Sequence, residues 1–99
     1  MREFERQIKR VVKKANYWKE RDIEILCNYT SIKEKMTKTT KTKSIVMGLD
    51  YIEILGDSSN IIFDGMYLYF DDIEGIKAYN DKYILKLNNG DIIKIAARM

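Results

Sequence analysis

The side chains on which most enzymes rely are scarce in this chain. It contains no histidine and a single cysteine, Cys27. No imidazole can serve as a general base, and neither a Ser–His nor a Cys–His pair can be assembled. Zinc sites built from Cys and His are excluded on the same count. The five glycines stand apart, at 48, 56, 65, 75 and 90, so no glycine-rich loop cradles a phosphate. Cys27 reads as a small core residue rather than a nucleophile. The densest carboxylate group is Asp71, Asp72 and Glu74. It has the oxygen chemistry for Mg²⁺, but a turn at a strand end accounts for it better. The expectation is a protein that is not an enzyme, with no catalytic residues, no cofactor and no metal.

What remains is recognition chemistry, and it falls in two places. Arg2, Arg6, Lys9 and Lys13, with Arg10 and Lys14 beside them, recur at helical spacing near the start of the chain. Such a ridge suits phosphate contact, where each neutralised phosphate releases counterions. It equally suits the solvated face of an amphipathic helix. In the second half, tyrosines and lysines interleave: Tyr67, Tyr69, Lys77, Tyr79, Lys82, Lys86 and Lys94. On a sheet surface they could stack bases and hold phosphates, or form the aromatic centre of a protein interface.

The elements that must position these groups divide the chain. Apolar residues at Phe4, Ile8, Val11, Ala15 and Trp18, resuming at Ile25, Tyr29, Ile32 and Met36, alternate steps of three and four. That pattern predicts a helical arm over 1–36. Asp22 interrupts the stripe, as an N-cap at a break or restart, and Ser31 with Glu34 forms a capping-box pattern at a second break near 30. An unbroken helix over 3–36 would be roughly 50 Å long, against a radius of gyration of about 13 Å for a compact chain of this size. Residues 23–30, IEILCNYT, also alternate like a strand, but the helical spacing on both sides favours helix. The stripe steps like a coiled-coil seam, which makes a homodimer through the N-terminal helix one expectation. Ala15 and Asp22 are poor seam residues, so a helix lying across a sheet is the other.

Residues 37–44 form a polar Lys/Thr connector, exposed and extended because consecutive threonines resist helix, with an edge strand as the alternative and phosphate contact as a secondary reading. Residues 45–99 read as an antiparallel β domain, located by its turns. Asp64-Gly65 predicts a hairpin that sets Phe63 opposite Met66 and Ile61 opposite Leu68. Asn80-Asp81 sets Ile76 opposite Leu85 and Ala78 opposite Tyr83. For Asn88-Asn89-Gly90, a three-residue loop with Gly90 left-handed puts Leu85 opposite Ile93 and Tyr83 opposite Ile95, giving one apolar face. The buried face is then Ile61, Phe63, Met66, Leu68, Phe70, Ile76, Ala78, Tyr83, Leu85, Leu87, Ile93 and Ile95. The predicted fold is α+β: a basic amphipathic helix followed by an antiparallel meander of five to seven short strands, curled into a half-barrel that the helix closes.

Charge is split along the chain. Residues 1–43 carry 13 Lys/Arg against 6 Asp/Glu, and residues 44–99 carry 5 against 9, a division of +7 and −4 within the net +3. A basic half either seeks an anionic partner or attracts the acidic half. No apolar run approaches membrane-spanning length and the charged start does not read as a leader, so a cytoplasmic protein with no membrane partner is expected. Usage rich in Ile, Lys and Asn suits an AT-rich genome, such as that of a phage or mobile element. The leading functional expectation is a non-catalytic interaction protein, an inhibitor, adaptor or assembly factor docking on a protein partner. The alternative is a nucleic-acid-binding protein using the basic helix and the Lys/Tyr sheet face.

Overall fold

Two elements decide where the helix stops and the sheet begins. The structure, a computed structural model, describes residues 3–56 and 65–98. Helix α1 spans Glu3–Glu20 and ends in a paired set of backbone bonds. The Ile23 N–H donates to the Trp18 carbonyl at 2.9 Å and the Asp22 N–H to the Lys19 carbonyl at 3.1 Å. Asp22 itself is left-handed, with φ of 56°. This is a Schellman termination with an aspartate where glycine is commonest. Asp22 therefore does break the helix, but as its C-terminal residue and not as the N-cap of a restart.

The stretch after it is strand, which corrects the helical arm expected over 1–36. Strand β1 covers Glu24–Ser31 and β2 covers Met36–Met47. Alternation wins over the three–four spacing because β1 is paired on both sides, Cys27 with Thr40 of β2 and with Ile95 of β7 (Ile92–Arg98). Ladder bonds on two edges are a long-range gain that local periodicity cannot register. The Ser31–Glu34 pair makes its bond, with the Glu34 N–H donating to Ser31 Oγ at 3.2 Å, but in the β1–β2 turn rather than at a helix start. The residues assigned to a connector, 37–44, lie within β2. Threonines, β-branched, suit that strand. The first part of β2 pairs with β1 alone, and β3 (Tyr51–Gly56) joins only from Thr42 onward, across a bulge.

The remaining strands are β4 (Gly65–Tyr69), β5 (Ile73–Ala78) and β6 (Lys82–Leu87), with a 3₁₀ turn at Phe70–Asp72 between β4 and β5. The described residues form one seven-stranded antiparallel sheet in the order β4-β3-β2-β1-β7-β6-β5. Its two outermost strands, β4 and β5, are joined by only the three residues of the 3₁₀ turn. The sheet must therefore curl until its ends approach each other at that corner, as strand twist favours. It remains open, and α1 lies in the concavity, in contact with β1, β2 and β5. The α+β architecture is as the sequence indicates.

Both hairpins of β5–β7 carry the expected registers. Ile76 faces Leu85, Ala78 faces Tyr83, Leu85 faces Ile93 and Tyr83 faces Ile95. Gly90 has φ of 93° and its N–H donates to the Leu87 carbonyl, closing the three-residue loop. The core holds Ile8, Val11, Ala15 and Trp18 from the helix against Ile25, Cys27, Ile45, Ile52, Ile54, Leu85, Ile93 and Ile95. Each large aliphatic buried this way contributes about 1.5–3 kcal/mol. Because the helix stripe is consumed inside the chain, it is not available as a dimer seam. Ile32 and Met36, expected on the same stripe, are exposed. Leu68, Phe70, Tyr83, Leu85 and Leu87 are buried as expected, Met66 and Ile76 are half-buried, and Ala78 is exposed, at the end of β5. Of the Asp64-Gly65 hairpin, Asp64, Ile61 and Phe63 lie outside the described residues. β4 pairs with β3, Leu68 facing Ile52 and Met66 facing Ile54.

Candidate functional site

The outward face of the sheet carries the Lys/Tyr set, and the fold divides that set in two. On β5–β7, Lys77 faces Ile84, which faces Lys94, and Lys86 faces Ile92. Lys86 pairs with Glu74 at 3.8 Å, and the Lys82 ammonium lies 5.0 Å from the centre of the Tyr79 ring. Lys77, Tyr79 and Lys86 border a shallow hollow of about 400 Å³ whose floor is Gly75, Ile84 and Ile92. Lys82 and Lys94 are half-buried and do not line it.

Tyr67 and Tyr69 sit elsewhere, on β4 at the opposite end of the strand order. Their neighbour is a residue that sequence reasoning missed. Tyr51 on β3 lies directly across from Tyr69, and its ring centre is 5.9 Å from that of Tyr69 and 5.4 Å from that of Tyr67. Both contacts are tilted, the arrangement aromatic quadrupoles prefer. Glu53 faces Tyr67 and accepts a hydrogen bond from its hydroxyl, which holds that phenol above its ordinary range. Val46 faces Glu53 from the other side and is exposed, and Leu49 at the β2–β3 turn is 99% exposed. Tyr67 and Tyr69 are 57% and 49% exposed. The Tyr51 ring lies against Gly48, where a Cβ would clash with three atoms of the ring. The signal for this cluster was the pairing of β3 with β4, hidden because the sequence pairs β4 most simply with residues 61–63.

On α1, Arg6, Lys9, Arg10 and Lys13 are exposed and Lys14 is half-buried. Arg2 lies outside the described residues. The ridge extends beyond the expected set. Tyr17 stands between Lys14, 5.0 Å from its ring centre, and Arg21, 3.8 Å from it. Of the ion pairs Lys41–Glu24, Arg98–Glu24 and Lys86–Glu74, none joins a helix cation to an acid of the second half.

Hydrogen bonding and burial fix the protonation states of the inner titratable groups. Asp91, beside the β6–β7 turn, accepts from the Tyr29 hydroxyl, from the Ile32 N–H at 3.1 Å and from Asn89 Nδ2 at 3.1 Å. Those bonds, the Tyr29 one foremost, hold its carboxyl below the usual range, and the same bond pushes Tyr29 up to about 12. At neutral pH one stays ionised and the other stays neutral. The pair borders a cleft of about 500 Å³ that Ser31, Lys33, Lys38 and Met66 also line. Cys27 is fully buried and burial pushes its thiol up to about 12, so little of the reactive thiolate exists. Asp71 and Asp72 turn their backbone carbonyls to Asn88, and Glu74 is engaged by Lys86. Among the described residues no group of three or more His, Cys, Asp and Glu is placed to hold a metal ion. No described helix is long and apolar enough to cross a membrane. In comparison with protein families, curated proteins and solved structures, the chain finds no match.

Proposed function

We propose that this chain is a non-catalytic interaction protein that docks a protein partner on the outer face of β2–β4, as an inhibitor, adaptor or assembly factor does. One observation carries the reading: Tyr51, Tyr67 and Tyr69 pack on each other while Tyr67 and Tyr69 remain about half exposed, beside exposed Val46 and Leu49. Tyrosine-centred apolar patches are the usual energetic centres of interfaces, and contiguous exposed apolar surface on a small domain favours an occupant. A cytoplasmic setting fits the single reduced thiol at Cys27.

The test is affinity capture from the source cell with the intact chain and with a Tyr67→Ala, Tyr69→Ala double variant of unchanged thermal stability. A partner retained by the first and lost from the second supports the reading. A partner set that is the same for both, or lost equally with a Lys77→Gln, Lys86→Gln variant of the separate hollow on β5–β7, overturns it.

A further inference from the structure

Glu53 sits in the middle of the tyrosine patch on β2–β4. Along the ladder it faces Val46 on one side and Tyr67 on the other. Tyr51 and Leu55, two residues away along β3, point to the same face. Glu53 is half-buried and accepts from the Tyr67 hydroxyl. That donor is neutral and takes one of about four acceptor positions on the carboxylate. No ion pair among the described residues reaches Glu53. The stretch that builds the patch holds no cation, since residues 44–76 contain seven acids and no lysine or arginine. Lys43, the closest cation in sequence, lies at the β2 bulge and lines the hollow beside Asp22 and Glu24 instead. The rings are equally bare. Tyr17 and Tyr79 each have a cation of this chain against the ring, whereas among the described residues Tyr51, Tyr67 and Tyr69 have none.

An occupant that covers Tyr67 and Tyr69 also covers Glu53. A neutral apolar surface laid there would bury an unpaired carboxylate, which is strongly unfavourable. We infer, on the footing of the docking site proposed above, that its partner is a basic protein segment that places an arginine on Glu53. The guanidinium donates to the carboxylate positions that Tyr67 leaves open and stacks on the exposed Tyr67 ring. Lysine supplies the charge without the planar fork. Val46 and Leu49, both exposed, take the apolar neighbours of that arginine. The acidity of residues 44–76 repels a nucleic-acid strand from the same face.

The experiment is selection from a phage-displayed library of random peptides. It is run on the intact chain, on Glu53→Gln, and on the Tyr67→Ala, Tyr69→Ala double variant, each shown by thermal unfolding to be folded. Glutamine keeps an acceptor for the Tyr67 hydroxyl and removes only the charge. Peptides retained by the intact chain but not by the tyrosine variant are expected to be rich in arginine. The pool from Glu53→Gln is expected to lose that enrichment. In fluorescence anisotropy with a selected peptide, replacing its arginine by neutral citrulline should weaken binding about tenfold to a hundredfold. Glu53→Gln should weaken it as much, and the two changes together should weaken it little more than either alone. Peptides that need the tyrosines but carry no excess of arginine would overturn the arginine and leave protein docking intact. A pool indifferent to the tyrosine variant, or no enriched peptide at all, would overturn both. Self-association of the intact chain in sedimentation, abolished by Glu53→Gln, would overturn a foreign partner in favour of a second copy.

Discussion

The Tyr29 hydroxyl donates to the Asp91 carboxylate across 62 residues of sequence. Because Asp91 also accepts from the Ile32 N–H, this one carboxylate ties the β1–β2 turn to the β6–β7 turn. Stability should therefore depend on pH at both extremes. Asp91 has a folded pKa below its unfolded value, so its contribution is present above the ordinary carboxylate range and fades as pH falls through the folded value. Tyr29 is raised from 10.0 to about 12, so its contribution is complete below pH 10 and is lost as pH rises towards 12. Tyr29→Phe and Asp91→Asn should each lower the midpoint of thermal unfolding by roughly 5–10 °C at neutral pH. For Asp91→Asn the gap from the parent should close on acidification, and for Tyr29→Phe it should close at high pH. A gap independent of pH would contradict the linkage.

Asp22 occupies a left-handed conformation at the end of α1, and only glycine does so without steric cost. Asp22→Gly is expected to raise stability by about 0.5–1 kcal/mol. Asp22→Val, branched at Cβ, is expected to lower it by about 1–2 kcal/mol. Urea unfolding of both variants measures the two shifts, which must have opposite signs.

Gly48 is the bed on which the Tyr51 ring lies. A Cβ added there meets three atoms of that ring, so Gly48→Ala must displace it, at a cost of about 1–3 kcal/mol. Since Tyr51 supports both Tyr67 and Tyr69, the same substitution should also weaken capture of a partner, while every tyrosine remains in place. Thermal unfolding and the capture experiment read the two effects separately.

Cys27 is completely buried in the central strand. A thiol reagent should modify it at the rate of native-state opening, and at full speed in denaturant. Cys27→Ser places a hydroxyl in that apolar setting and should cost about 1–3 kcal/mol. Rapid labelling of the folded protein would show that the core around β1 is not closed.

Where turn chemistry and alternation agree, the sequence is sufficient. Gly90 needs the left-handed conformation, and only the three-residue loop that uses it gives β6 and β7 a common apolar face. The Asn80-Asp81 turn fixes Ala78 against Tyr83 in the same way. Both are local relations, spanning a few residues on each side of a turn. At 23–36 two local signals conflict, and local information cannot arbitrate. Ile25, Cys27 and Tyr29 fit a strand, while Ile25, Tyr29 and Ile32 fit a helix. The decision belongs to Ile92–Arg98, a strand at the other end of the chain that pairs with β1. The Tyr67/Tyr69 site shows the same boundary. Their exposure follows from alternation with Leu68, but the company of Tyr51 follows from the β3–β4 pairing.

The sequence by itself determined the α+β class, the helix face that is buried, the β5–β7 registers and the uneven distribution of charge. Each of these follows from side-chain periodicity or from the φ preference of a turn residue, and neither needs a distant partner. Tertiary structure alone decided which strands the Lys/Thr run pairs with, that the helix stripe is spent inside the curled sheet, and that Lys19 meets Lys41 and Lys43. Those outcomes depend on which edges pair and how far the sheet twists. Such choices are settled by the sum of many long-range contacts and ladder bonds, which no single stretch of the chain encodes.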